Sequence, residues 1–211
     1  MSPADVAGPV PDLAVRWPGC STVLVDLLTA HGTALQEFDR RVQVITDDQW
    51  DNPTPDTDWS VRDLLAHLVG EQLWVPPLLA GATIEEIGNR FDGDTLGNDP
   101  RAAWSSAAAA ARQAWLAPGA SGRTVHLSFG DTSALEYGWQ MTMDLAVHAW
   151  DLARGIGADD TLPAELSEVV LDIVRPEIHR WAGSGLFGPP VPVAADADVQ
   201  TQLLALLGRS R

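Results

Sequence analysis

Apolar residues recur every three to four positions along several long stretches of this chain, and proline, glycine and aspartate crowd the breaks between them. That period belongs to helices with one buried face, so it restricts the chain to a helical bundle more firmly than any other feature. The first stretch runs from residue 21 to about 46, with Leu24, Leu27, Leu28, Leu35, Phe38, Val42 and Ile45 in its stripe. Gly32 interrupts it at modest cost. His31, beside that glycine, reads as a packing or surface histidine, because no second ligand type sits one turn away. The connector 49–59 sets Pro53 and Pro55 among Asn and Asp residues, a composition for rigid turns.

Ser60 opens the second helix as a good N-cap. Asp63 stands where a capping box needs an acid, and Trp59 can pack on Leu64 as a hydrophobic staple. Val61, Leu64, Leu65, Leu68, Gln72 and Val75 form the buried stripe, with His67, Glu71 and Trp74 on its flank. Pro76 and Pro77 are expected to end or kink this helix. Residues 81–100 are rich in glycine and aspartate. Their acidic part, 92–100, invites a calcium reading, but Leu96 takes an oxygen-ligand position and Ala103 stands where a bidentate glutamate belongs. It reads instead as a loop, with a lid as one role. Asp99-Pro100 then opens an alanine-rich third helix that ends before Pro118. Residues 124–129 alternate like a short strand, with His126 on a solvated or edge face and Gly130-Asp131 as the turn. The fourth helix spans 133–156, closed by Gly155 and Gly157, with Met141, Leu145, His148 and Leu152 in its stripe. Pro163 begins a fifth helix, bent at Pro176 before Trp181; 183–192 is a loop and 199–207 a short terminal helix. The sum is an all-α bundle of four long helices with short extras and at most one small strand pair. One domain covers 21–211, preceded by a mobile arm over 1–20.

The formal net charge is −16, and every one of the 13 Lys+Arg positions is an arginine, scattered along the chain. No basic footprint for nucleic acid or for an anionic membrane surface is present. No apolar run reaches the ~20 residues that cross a bilayer. The first nineteen residues lack the basic start and apolar run of a signal peptide, which predicts a cytoplasmic protein. Cys20 is the single cysteine, so it forms no intrachain disulfide and reads as an inert thiol. The oligomeric state is left open, a homodimer included.

The chemistry sits in the fourth helix. Asp144 and His148 are four apart, so their Cβ atoms stand roughly 5–6 Å apart on one face. A carboxylate and an imidazole so placed can share one metal ion, with His67 as the best third ligand. The plainer reading is that Asp144 fixes the tautomer of a core histidine without any metal, and the spacing leaves both open. Asp151, three residues past His148, is a competing ligand; we prefer it as the acceptor for the other imidazole N–H. Glu71, one turn after His67, is either a substrate or supporting contact or a solvated helix face. Catalysis by a protein nucleophile is disfavoured: Cys20 is misplaced, lysine is absent, and there is no Gly-x-Ser-x-Gly elbow or phosphate-binding glycine loop. A chemical site here needs the metal as electrophile or as activator of an external nucleophile.

Two stretches carry a resemblance. Trp50-Asp51-Asn52-Pro53-Thr54-Pro55, followed by Asp58-Trp59-Ser60-Val61-Arg62-Asp63-Leu64-Leu65-Ala66-His67-Leu68, resembles the early signature of the mycothiol-dependent maleylpyruvate isomerase-like family, in the DinB-like metalloenzyme superfamily. Asp144-Leu145-Ala146-Val147-His148-Ala149-Trp150-Asp151-Leu152-Ala153 resembles its second signature, and Gln202-Leu203-Leu204-Ala205-Leu206-Leu207-Gly208-Arg209 is similar to an actinobacterial branch. The resemblance implies a DinB-like four-helix bundle that holds a divalent metal, usually zinc, on His67, Asp144 and His148. It implies an open position for a small thiol, mycothiol in the family, whose thiolate adds to a small electrophilic substrate. Release with isomerisation makes an isomerase; retention makes a thiol S-transferase. Trp74, Trp139 and Trp150 would wall the pocket. Two other functions stand beside this one: a non-catalytic small-molecule-binding or interaction bundle, and a hydrolase using metal-activated water with Glu71 as base. The chain departs from the family at three places. The isomerase has glutamate where Asp144 stands, many relatives have cysteine where Asp56 stands, and the chain is short after the bundle for the isomerase's separate C-terminal domain.

Overall fold

The computed structural model describes residues 23–56, 58–181 and 187–211, with the backbone alone for 23–26 and 179–181. The arm expected over 1–20, Cys20 in it, and the start of the expected 183–192 loop lie outside the described residues. In chain order stand α1 (Val23–Val42), α2 (Val61–Leu79), α3 (Ile84–Ile87), α4 (Pro100–Leu116), a 3₁₀ turn (Ala120–Gly122), β1 (Thr124–Leu127), β2 (Gly130–Ser133), α5 (Ala134–Ile156), α6 (Ala164–Trp181) and α7 (Val199–Leu206). Helices α1, α2, α4 and α5 make the bundle. α1 packs along α5, α2 packs along α4, and α2 meets α5 across the centre, while α6 covers α5 and α7 closes on α6. No described helix is long and apolar enough to cross a membrane.

The helices start where side chains satisfy the free N–H groups of a first turn. Ser60 accepts from the Asp63 N–H at 3.2 Å and Asp63 Oδ2 accepts from the Ser60 N–H at 3.0 Å, a reciprocal capping box. Asp99 caps α4 through the Ala102 N–H at 3.0 Å, with Pro100 in the first turn, and Ser133 caps α5 through the Glu136 N–H at 3.1 Å. The stripes then bury as their period requires: Leu64, Leu65 and Leu68 of α2 join Leu145, Ala149 and Leu152 of α5, with Phe38 and Trp104, in the main core. At Gly138 a Cβ would stand 2.8 Å from Leu27 Cδ2 and 3.1 Å from the Trp115 ring, so a bare glycine permits the close approach of α1, α4 and α5.

The connector between α1 and α2 is folded back on itself. Pro53 and Ser60 form an isolated antiparallel bridge, and the Val61 and Arg62 N–H groups donate to Asn52 and Trp50 carbonyls at 2.9 and 3.0 Å. Gln49 Nε2 and Asn52 Nδ2 donate to the Ile156 and Gly155 carbonyls at 2.9 and 3.0 Å, which ties the connector to the end of α5. Asp58 takes φ 72°, a left-handed conformation that Asp tolerates better than most residues, and Trp59 comes directly after it.

Several boundaries differ from the sequence reading. α1 ends at Val42 rather than about 46, because Val44 and Ile45 donate to Arg41 and Val42 in tighter turns; Ile45 still buries its side chain. Pro76 and Pro77 do not stop α2. The carbonyls of both accept from the Ala80 N–H, and the helix runs on to Leu79. Gly130-Asp131 begins β2 rather than forming the turn: Leu127 pairs with Gly130, so Ser128 and Phe129 alone reverse the chain. The 81–100 loop contains α3, capped by Thr83 and Glu86. In its acidic part Asp94 Oδ1 accepts the Leu96 and Gly97 N–H groups at 3.0 and 3.2 Å, and Leu96 is buried in the core.

His31 packs on the Trp115 ring at 5.7 Å and is 1 % exposed, with Nδ1 facing Arg112 Nη1 at 3.4 Å. Burial first, and then the Arg112 charge, push its pKa down to about 3. The folded state therefore refuses a proton that the unfolded chain accepts near pH 6.5. Its contribution to stability is complete above that pH and declines as pH falls toward 3. Thermal melts across this window will show a steeper loss of Tm on acidification in the wild type than in His31→Phe; parallel curves would mean that His31 takes up its proton in the native state.

Candidate metal centre

His67 lies two turns into α2, behind the capping box that fixes the start of that helix. Asp144 and His148 face it from α5, one turn apart. His67 Nε2 stands 3.4 Å from Asp144 Oδ1 and 3.3 Å from Oδ2, and His148 Nε2 stands 3.3 Å from Asp144 Oδ1. The two imidazoles meet edge to face, with centroids 5.3 Å apart. The structure thus brings together the three residues that the sequence singled out, from two helices, with His67 and Asp144 77 positions apart in the chain.

These separations fit a metal. Two ligand atoms about 2.0–2.1 Å from a tetrahedral zinc stand about 3.3–3.4 Å from each other. One donor atom from each residue lies within 4.8 Å of the others, and Asp144 Oδ2 is buried without a hydrogen-bond donor. Two nitrogens and one oxygen are a donor set that zinc accepts. His148 is buried, while His67 and Asp144 are half-buried, so the cluster opens to one side. The electrostatics also favour a cation. Burial alone would raise the Asp144 carboxyl, yet His67 and His148 outweigh it and hold Asp144 well below the usual carboxylate range. Burial likewise opposes a charged His148, but Asp144 and Asp151 carry its pKa up to about 10. The site stabilises positive charge wherever the imidazole nitrogens meet Asp144.

Behind His148 the arrangement is different. Asp151, fully buried, accepts from His148 Nδ1 at 2.9 Å, which leaves Nε2 directed at Asp144 and His67. Asp56, His148 and Asp151 form a second group of metal-ligand type, but a cation is already there. Arg209 Nη2 donates to Asp151 Oδ2 at 2.8 Å and to Asp56 Oδ2 at 3.0 Å. The guanidinium neutralises that pair, so the first group is the candidate centre.

Sequence reasoning missed parts of this site. Trp59, expected only as a helix staple, covers both imidazoles, 4.8 Å from His67 and 5.8 Å from His148. Tyr137 lies two turns before Asp144, on the same side of α5. Its hydroxyl is buried without a partner, and burial with the charges of Glu71 and Asp144 pushes its pKa well up. The seven-residue step from 137 to 144 carried that signal. Glu71 is half-buried, and burial pushes its carboxyl up despite the pull of His67; it also feels Asp144 and His148. Of the three tryptophans expected as walls, Trp74 lies on the His67 face of α2, with its Nε1 buried and unpartnered, and meets Phe91 edge-on at 5.7 Å. Trp139 and Trp150 are a correction. At 3.6 residues per turn they project from α5 roughly half a turn away from Asp144 and His148, and both fill the main core.

Fold and cluster together define the class: a DinB-like helical bundle with a candidate metal centre between two facing helices. Within that class, residues 31–153 match the mycothiol maleylpyruvate isomerase N-terminal domain family, and the chain belongs to it. Two uncharacterized proteins of Mycobacterium tuberculosis, Rv0738 of strain H37Rv and MT0763 of strain CDC 1551, are each 32 % identical over 192 residues, 88 % of this chain and 99 % of theirs. The crystal structure of the mycothiol-dependent maleylpyruvate isomerase superposes with a TM-score of 0.64 at 19 % identity, over 89 % of this chain and 90 % of that one. A histidine-to-alanine mutant of that enzyme superposes with a TM-score of 0.62 at 18 % identity, over 83 % of this chain and 78 % of that one.

A metal held by this cluster binds only the native chain, so it stabilises by mass action. At a hundredfold excess over Kd the gain is about 2.7 kcal/mol, which for a chain of this size raises Tm by roughly 5–10 °C. Zinc titration of the metal-free protein is expected to give that rise with one ion per chain, and none in His67→Ala or Asp144→Ala. A rise of equal size in either variant would move the ion elsewhere.

Proposed function

We propose that this protein is a metal-dependent enzyme that uses a small thiol to isomerise, or to add to, a small electrophilic substrate. The observation that carries this reading is the cluster itself: His67, Asp144 and His148 meet at tetrahedral ligand spacing on the open side of a buried frame. Membership in the isomerase family supports mycothiol as the thiol and maleylpyruvate as the first substrate to try.

A divalent cation, zinc by the donor set, would supply the positive charge that keeps a small thiol in its nucleophilic thiolate form at neutral pH. The chain does the rest. Asp151 fixes the tautomer of His148, and so the nitrogen it presents. Trp59 excludes water from one side of both imidazoles. Glu71, one turn from His67 with its carboxyl pKa raised by burial, is the side chain placed to pass a proton to the substrate carbon or oxygen that gains negative charge when the sulfur adds. Tyr137 Oη and Trp74 Nε1 offer free donors for polar groups of thiol or substrate.

Mycothiol affinity, measured by calorimetry on the zinc-loaded protein, will be lost in His148→Ala; equal affinity in the two would end the reading. With maleylpyruvate and mycothiol present, Glu71→Gln is expected to lower kcat by about 10²–10⁴-fold, the usual share of a proton-transferring side chain, with KM little changed. Zinc uptake without any thiol binding would turn the assignment toward a metal-activated-water hydrolase. Neither zinc nor thiol uptake would leave a binding bundle.

A further inference from the structure

Arg209, in the C-terminal tail beyond α7, takes no part in the chemistry proposed for the metal centre, yet its side chain is only 9 % exposed. Nε donates to Asp151 Oδ1 at 3.1 Å and Oδ2 at 3.2 Å, Nη2 to Asp151 Oδ2 at 2.8 Å and Asp56 Oδ2 at 3.0 Å, and Nη1 to the Leu207 carbonyl at 3.1 Å. A planar guanidinium thereby spans two carboxylates far apart in the sequence, a geometry that an ammonium cannot reproduce. We propose that Arg209 is a positioning residue for the metal centre: it clamps Asp151 and Asp56 so that Asp151 holds His148 in the Nδ1–H tautomer, with Nε2 free for the ion. The proposal rests on the metal reading of His67, Asp144 and His148.

The clamp works through shared acceptors. Asp151 is fully buried, and its described partners are Arg209 and His148. Both of its oxygens are engaged by the guanidinium, and Oδ2 receives the His148 Nδ1 proton in addition. Without Arg209 that carboxylate loses its one described cationic neighbour other than His148, and the His148 N–H is the one described donor left to hold its rotation about the last side-chain bond. Asp56, 3.8 Å from His148 Nδ1, then competes for the same proton. The ring that must present Nε2 to an ion is left with two alternative acceptors. Groups that hold a ligand histidine in this way commonly change metal affinity about 10–100-fold when removed.

The terminal segment is built to deliver Arg209 to this place. The Arg209 N–H donates to the Leu204 carbonyl at 2.9 Å, and Val191 donates to Ala205 at 2.8 Å, which seats the tail on α7. Gly208 takes φ 82°, and a Cβ there would stand 2.7 Å from Gly188 Cα. Only glycine allows the chain to pass Gly188 and turn the next side chain inward. Leu207 is fully buried on one side of that turn, and Arg211 pairs with Asp198 at 3.1 Å on the other.

The test uses the full chain, with zinc affinity from competition against a chromophoric chelator and the exchange protection of the His148 Nδ1–H from ¹H,¹⁵N NMR of the metal-free protein. Arg209→Gln is expected to bind zinc about 10–100-fold more weakly than wild type and to lose the downfield, slowly exchanging signal of the His148 Nδ1–H held by Asp151. Arg209→Lys, which restores the charge without the fork, is expected to recover part of the affinity. Wild-type affinity and an unchanged Nδ1–H signal in Arg209→Gln overturn the proposal, and so does an Arg209→Lys protein no better than Arg209→Gln, since that outcome marks a packing role. Should Arg209→Gln not fold, Gly208→Ala displaces the same guanidinium and carries the same expectation and the same refutation. If wild type itself takes up no zinc, the metal reading falls, and the Nδ1–H signals of the metal-free proteins still decide the clamp.

Discussion

The imidazole of His148 is held from both sides by carboxylates on its own helix, and the site depends on that. Asp151 takes the Nδ1 proton at 2.9 Å from one turn ahead, and Asp144 faces Nε2 at 3.3 Å from one turn behind. A histidine on the apolar stripe of a core helix would otherwise be a desolvated polar group at a cost. Here the cost is offset because each nitrogen meets a group of opposite polarity. Helix spacing alone arranges the two acids, but only the approach of α2 adds the second imidazole and turns a satisfied histidine into a candidate metal centre.

That approach is fixed by ordinary packing. Leu64, Leu65 and Leu68 bury the face of α2 beside His67, and Leu145, Ala149 and Leu152 bury the stripe of α5 that contains His148. Aspartate at 144 is a short side chain, yet both imidazoles reach its oxygens at 3.3 Å. Asp56 has its counterpart in Arg209, which pairs with it at 3.0 Å. An acid there without a cation would crowd Asp151 and compete for His148.

Much of the site comes from segments that are not helical. The connector between α1 and α2 is pinned to the end of α5 through Gln49 and Asn52, and from that anchorage it lays Trp59 over both imidazoles. The C-terminal tail brings Arg209 across from beyond α7. In a chain of net charge −16, one buried arginine at the described junction of Asp56 and Asp151 has a large local effect, because, away from water, it meets both carboxylates at 3.0 and 2.8 Å.

The helices, the cap at Ser60 and the Asp144/His148 pair were legible in the sequence, because periodicity, capping and i, i+4 spacing are local properties of the chain. The exact ends were less so: Pro76 and Pro77 fall in a last turn that neighbouring carbonyls still complete, and a two-residue turn at Ser128-Phe129 was hidden by the glycine after it. His67 was named from pattern, but its meeting with Asp144 is a distance between two helices, which no one-dimensional pattern contains. Trp59 over the imidazoles and Arg209 locked onto Asp151 and Asp56 were decided by tertiary structure alone. A residue's own helix tells which face it occupies. What it meets there depends on how separate elements pack, and that is set by the shape of the whole core rather than by any single stretch of chain.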